Sequence, residues 1–327
     1  MPSRCFIPVV AMLLLASAVV AAAQQEDRSA TLGVLSGQSR ESNRVSLEAF
    51  REALQALGWE AGKNLVIEER FADGDAARLP ALAEALVRQK VDVILAATSA
   101  STRAAKKATK TIPIVMVDVG DPVAMKLVTN LARPGSNVTG ITNMSLGLTQ
   151  KRLAILKETL PAASRVAMLS HPENLIAPPQ WRDAEAAARQ LGLRLQRLEI
   201  RTRDDLRRAF QAAVNARADA VFPLADPFTA ALSRDILELA ARHRLPTMME
   251  NRERVEAGAL LGYHADPLDL YRRAAAYVDR ILKGAKPGDL PVEQPTNFEL
   301  AINLKTAKAL GLTIPRSVLL QASAVIE

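Results

Sequence analysis

Short runs of aliphatic and β-branched residues alternate with longer segments of helical period along this chain, and the alternation runs through twice. The first series reads as a strand at Thr31–Ser36, a helix at Arg44–Leu57, a strand at Asn64–Phe71, a helix at Ala76–Gln89, a strand at Val91–Ala96, a helix at Ser99–Thr109 and a strand at Ile112–Val117. Within Arg44–Leu57 the apolar residues Val45, Leu47, Phe50, Leu54 and Leu57 recur at helical spacing, and Gly58 supplies the stop. Strands and helices in strict alternation imply a parallel sheet with helices on both faces, so the expected fold class is α/β.

The second series opens with a helix at Lys151–Leu160, ended by Pro161, and a strand at Arg165–Leu169. The segments Pro179–Leu191, Arg194–Ile200, Asp204–Asn215 and Ala218–Pro223 then alternate again. A helix at Pro227–His243, strands at Leu245–Met248 and Ala259–Tyr263, and a long helix at Pro267–Lys283 complete it. Between the two series, Arg133–Ser145 is rich in turn and β-type residues and reads as a strand crossing between lobes. The tail reads as a strand crossing back at Pro291–Ile302 and a short helix at Lys305–Gly311. The 327 residues are too many for one compact domain and suit two. Aromatics make up only 4%, so Ala, Leu, Val and Ile must fill the cores, which favours α/β layers over an aromatic-rich β-sandwich.

The N-terminus sets the expected compartment. Arg4, the apolar run Phe6–Val20 and the small residues Ala21-Ala22-Ala23 are the three parts of a secretory signal, with cleavage expected after Ala23. The alternative is an uncleaved anchor, since the stretch approaches spanning length. The single cysteine, Cys5, falls inside this leader, so the mature chain is expected to carry no disulfide and no thiol chemistry. The formal charge is +7, but arginines such as Arg182, Arg189, Arg207, Arg208, Arg272 and Arg273 are interleaved with acids along helical segments. That pattern describes a solvated surface and no nucleic-acid partner.

Open parallel sheets bind ligands beyond the carboxyl ends of their strands. After the first strand stand Ser36, Gly37 and Gln38, where glycine allows close backbone approach. After the third stand Thr98 and Ser99 at a helix start, placed to cap it and to leave N–H groups for a carboxylate. After the fourth comes Gly120-Asp121-Pro122, with Asp121 as a cap ahead of an N1 proline. In the second series His171 and Asp226 each follow a strand and precede a proline. Glu250 and Tyr263 follow later strands, and Tyr263 either meets a ligand or packs in the core. Asp121, Asp226 and Glu250 are the acids expected to be able to hold an amine. Catalysis finds little support. The three histidines His171, His243 and His264 make no metal-binding spacing, and no GxSxG, GxGxxG or Walker loop is present. No catalytic residue, metal or cofactor is expected.

Three stretches carry a resemblance. Ile112–Val123 (IPIVMVDVGDPV), Asn130–Thr142 (NLARPGSNVTGIT) and Pro291–Pro315 (PVEQPTNFELAINLKTAKALGLTIP), together with Gly62–Asp75 (GKNLVIEERFADGD), closely resemble the periplasmic substrate-binding proteins of ABC importers, in the group that includes tryptophan- and tyrosine-binding members. The resemblance covers almost all of the mature chain. It implies a type I periplasmic-binding-protein fold, with two Rossmann-like lobes joined by three crossings that close on a ligand by hinge motion. The lobes are then expected at 30–142 with about 264–290, and at 143–263 with about 291–322, after a signal peptide at 1–23. It further implies a periplasmic monomer that binds a small molecule in the interlobe cleft and delivers it to an ABC permease, or, as alternatives, a ligand sensor or an exported enzyme. Ser36, Gly37, Thr98, Ser99, Gly120, Asp121, Asp226 and Tyr263 match positions where relatives place pocket walls. His171 and Glu250 depart from the relatives, which often read Asn-Pro at His171-Pro172 and have small residues near Glu250.

Overall fold

The structure, a computed structural model, describes residues 29–144, 147–172, 174, 177–225 and 227–327. The leader read at 1–23 lies outside them. Among the described residues no helix is long and apolar enough to cross a membrane.

The chain divides into two units. One contains residues up to Val117, then Val128–Gly140 and Tyr271–Pro291; the other contains Asp118–Leu127, Ile141–Leu270 and Val292–Glu327. The first unit is built from β1 (Ala30–Ser36), α1 (Arg40–Ala56), β2 (Leu65–Phe71), α2 (Leu79–Arg88), β3 (Val93–Ala97), α3 (Ser99–Ala108), β4 (Ile114–Val119) and β5 (Val138–Thr142), the last two strands running on into the other unit. Their order in the sheet is β2-β1-β3-β4-β5. The pairs β1/β2, β1/β3 and β3/β4 are parallel, with Leu32 opposite both Ile67 and Val93. This is a doubly wound order, and its direction of winding reverses between β1 and β3.

The central strands were legible because they are covered on both faces. Every residue of β3 is buried, and so are Ile114–Val117 of β4, which is why they read as unbroken apolar runs. Helix α1 begins at Arg40, earlier than its apolar pattern predicts, because the Ser39 hydroxyl accepts the Ser42 N–H at 3.2 Å and caps it. Its buried face is Asn43, Leu47, Phe50 and Leu54 with Ala49. Val45 and Leu57, counted in the sequence pattern, are 52% and 39% exposed. At β5 the chain has only glycine available. Gly140 has φ +130°, and a Cβ there would stand 2.1 Å from the Met116 carbonyl oxygen.

The second unit repeats the winding. Its elements are α4 (Thr149–Thr159), β6 (Arg165–Ser170), α5 (Ala177–Leu191), β7 (Arg194–Glu199), α6 (Asp205–Asn215), β8 (Ala220–Pro223), α7 (Pro227–Ala231), α8 (Ser233–Arg242), β9 (Met248–Met249), α9 (Arg252–Glu256) and β10 (Leu261–Ala265). Helix α10 (Pro267–Leu282) carries the chain back to the first unit, and β11 (Phe298–Asn303), α11 (Leu304–Leu310), α12 (Arg316–Leu319) and β12 (Ala324–Ile326) close the second. One sheet runs β7-β6-β8 and another β12-β11-β10-β9. A parallel bridge from Val221 to Thr247 links them, with the Val221 N–H donating to the Pro246 carbonyl at 2.9 Å. Read across that bridge, β7-β6-β8-β9-β10 has the same order as β2-β1-β3-β4-β5, with its reversal between β6 and β8. The tail adds one antiparallel pair, β10 with β11.

Alternation along β6 splits this unit's core. Val166 and Met168 pack with Trp181 and Ala184 of α5. Ala167 and Leu169 pack with Phe210 and Ile236 of α6 and α8. One expectation fails here. The continuous helix read over Pro227–His243 is two helices, α7 and α8, divided at Leu232. The Arg254 guanidinium donates to the Ala230 carbonyl at 3.4 Å beside this break.

Candidate ligand-binding site

In the first unit the reversal point lies between the loops after β1 and β3, and these carry five of the residues singled out in the sequence. Ser36 is fully buried, and its hydroxyl accepts from the Gln38 N–H and the Asn43 side-chain amide, both at 3.1 Å. Asn43 in turn accepts from the Tyr271 hydroxyl at 3.3 Å. Ser36 is therefore a brace under the loop, and Gly37 and the exposed Gln38 form the loop's surface. A Cβ on Gly37 would stand 3.8 Å from the Thr98 hydroxyl and 3.9 Å from that of Ser101, so the two loops lie side by side.

Thr98 departs from its expected role. It precedes α3, but its side chain makes no capping bond. Its hydroxyl lies 3.3 Å from the Ser101 hydroxyl instead. Its backbone, at φ +88° and ψ 162°, occupies a region that is close to glycine-only and is worse for a β-branched side chain. The surroundings hold it there. The Thr98 N–H donates to Val117 at 2.9 Å, and its carbonyl accepts both the N–H and the hydroxyl of Thr102, at 3.1 and 2.9 Å. Ser99 is half-buried at the first position of the helix.

In the second unit Asp121 caps as expected, though over a single turn. One carboxylate oxygen accepts the N–H groups of Val123 and Ala124, each at 2.9 Å. The Gly120 carbonyl accepts the Thr142 hydroxyl at 2.6 Å. At this unit's own reversal point, the His171 ring lies 4.7 Å from that of Phe228. Asp226 lies outside the described residues, but the backbone just before it is clamped. Gln180 donates to the Ala225 carbonyl at 2.9 Å and accepts the Ala225 N–H at 3.0 Å.

Glu250 and Tyr263 come together around a residue that sequence reasoning missed. Arg152 on α4 is 1% exposed, and its Nε donates to the Tyr263 carbonyl at 2.8 Å. Burial pulls its guanidinium below the ordinary range, while Glu250 and Tyr263 favour its charge. Glu250 is also 3.6 Å from the Arg254 guanidinium. The Tyr263 ring stacks on Phe298, centroids 5.7 Å apart, and burial pushes its phenol up. Among the described residues no group of three or more His, Cys, Asp or Glu side chains is placed to hold a metal.

Residues 31–326 match the family model described as "ABC transporter substrate binding protein". The chain belongs to this family. A tyrosine-binding protein from Clostridioides difficile is 28% identical to it over 265 residues, 81% of this chain and 76% of that one. A conserved domain protein from Vibrio cholerae has a similar structure, with a TM-score of 0.81 and 29% identity over 91% of this chain and all of the other. A domain from Streptococcus pneumonia solved in complex with L-Trp also gives 0.81, at 25% identity over the same 91% of this chain and all of its own. The fold is that of type I periplasmic binding proteins, and proteins of this family bind solutes outside the cytoplasm. For this substrate-binding protein, the loops after β1, β3, β6 and β8 stand at the ends of strands that flank the two reversal points. Arg152 carried no sequence signal, because α4 also buries Thr149 and Thr159 and so has no clean apolar stripe.

Proposed function

We propose that this chain is the solute-binding component of an ABC importer and that its solute is an amino acid or a closely related small anion. The observation that carries the reading is the doubled winding, which furnishes each unit with polar, partly buried loops at its own reversal point, in a chain of a substrate-binding family. In the first unit, α3 starts beside Gly37 at the Thr98 turn without a side-chain cap, and a helix N-terminus suits a carboxylate. In the second, His171, Phe228 and Tyr263 offer aromatic surface, and Glu250, Asp121 and Asp226 bring acids. The leader at 1–23 directs the chain to the periplasm, where it works as a monomer, without cofactor or catalysis, and hands its ligand to a membrane permease. Ligand shifts the population toward the conformer that the permease accepts.

A thermal-shift panel of amino acids, nucleosides, sugars and small carboxylates tests the proposal. A ligand present at one hundred times its Kd stabilises by about 2.7 kcal/mol through mass action. An amino acid is expected to raise the melting temperature in a concentration-dependent way. A response confined to sugars or nucleosides would contradict the substrate class.

A further inference from the structure

A captured amino acid brings an ammonium group that needs an anionic partner, and each acid expected for that task either has partners of its own or lies outside the described residues, which leaves room for a further one. Asp121 spends an oxygen on two backbone N–H groups. Glu250 faces Arg254 and the field of Arg152. Asp226 is outside the described residues. A further acid, Asp118, was not singled out in the sequence, although it directly follows the strand read at Ile112–Val117; the observed β4 runs two residues further and includes it.

Asp118 is partly exposed while Val117 and Val119 on either side are buried. Its carboxylate accepts from the Asn143 side-chain amide at 2.7 Å, and among the described residues no Arg, Lys or His pairs with it. An ionised carboxylate has room for about four hydrogen bonds, and withdrawing it from water is costly unless a cation meets it. Burial holds this carboxyl above its ordinary range, and the Asn143 amide pulls it back down. The position is also fixed in advance. Asp118 has φ +58°, left-handed for a residue with a side chain. The ends of β4 and β5 are tied around it. The Asn143 N–H donates to Val119 at 2.8 Å, the Thr142 hydroxyl to Gly120 at 2.6 Å, and the Met144 N–H to the Thr142 hydroxyl at 2.9 Å. A carboxylate held between the tied ends of β4 and β5, with no counter-ion among the described residues, is placed to meet a cation.

We propose that Asp118 receives the ammonium group of the solute and so selects amine-bearing ligands over acids of the same shape. The proposal rests on the solute-capture reading given above. The test is calorimetry of the purified full chain with four probes: L-tyrosine, L-tryptophan and their des-amino counterparts, 3-(4-hydroxyphenyl)propionate and indole-3-propionate. The wild type is expected to prefer an amino acid over its des-amino counterpart. Asp118→Asn is expected to cost roughly 10- to 100-fold in affinity for the amino acid, the size of a lost charge-assisted hydrogen bond. Affinity for the des-amino compound should stay unchanged, so that the discrimination collapses. A circular-dichroism melt reports folding. If Asp118→Asn does not fold, Asn143→Ala, which removes the donor that places the carboxylate, is expected to weaken the same discrimination. Full discrimination in the folded variant would overturn the role of Asp118 and leave solute capture standing. Binding of none of the four probes by the wild type would overturn amino-acid capture and this proposal together.

Discussion

Thr98 and Arg152 show two opposite kinds of residue-scale energetics, backbone strain and a buried charge. A β-branched residue at φ +88° stores about 1–3 kcal/mol of strain. Glycine there would release that strain and lose roughly 0.5–1 kcal/mol to its freer unfolded chain. Thr98→Gly is therefore expected to stabilise by about 1–2 kcal/mol in chemical denaturation. Unchanged stability would mean that the turn is not strained. Arg152 has the opposite character. It is a buried cation that satisfies the Tyr263 carbonyl and attracts Glu250. Arg152→Met leaves the Tyr263 carbonyl without its donor and should cost about 1–3 kcal/mol, read by the same denaturation. Neither effect was visible in the sequence. Threonine after a strand reads as a cap, and the positive φ emerges only when Val117 and Thr102 pull on its backbone. Likewise the sequence does not show that the Ser36 hydroxyl accepts from Asn43, which in turn accepts from Tyr271.

At the scale of elements, legibility followed the range of the interactions. Strands β1, β3, β4, β6 and β8 were plain because burial on both faces leaves a local apolar run. The boundary between α7 and α8 was not, because no proline or glycine marks it, and the contact beside it comes from Arg254, 24 residues away from Ala230. Helix α9 was missed for a related reason. It is one short turn capped by Asn251, and its Val255 packs against Gly262 of β10. The packing of β5 on β4 gives the sharpest mutational expectation. At Gly140 any side chain would need both a positive φ and the space held by the Met116 backbone. Gly140→Ala is expected to destabilise by roughly 3 kcal/mol or more, since backbone cannot step aside as a flexible side chain can. A thermal or urea melt decides it, and a near-neutral result would show that β5 can move off β4.

For the molecule as a whole, the two series of alternating elements carried the architecture. Each series folds into the same strand order, and each order has one reversal where loops from neighbouring strands diverge. The positions of Gly37, Thr98, His171 and the Ala225 turn follow from that order. Which of them meets the solute does not follow from spacing, because spacing locates strand ends without telling a braced side chain from an available one. Asp118 shows the difference, since its want of a cationic partner among the described residues is visible only in the fold.

The central claim is that this protein captures one small amino acid-like solute. The most direct measurement is an equilibrium titration of the purified chain with L-tryptophan and L-tyrosine, following heat and stoichiometry. Saturable binding of at least one of them, at one solute per chain and in the micromolar range or tighter, is the expected result. No saturable heat with either amino acid at millimolar concentration, from protein that melts cooperatively, would contradict it.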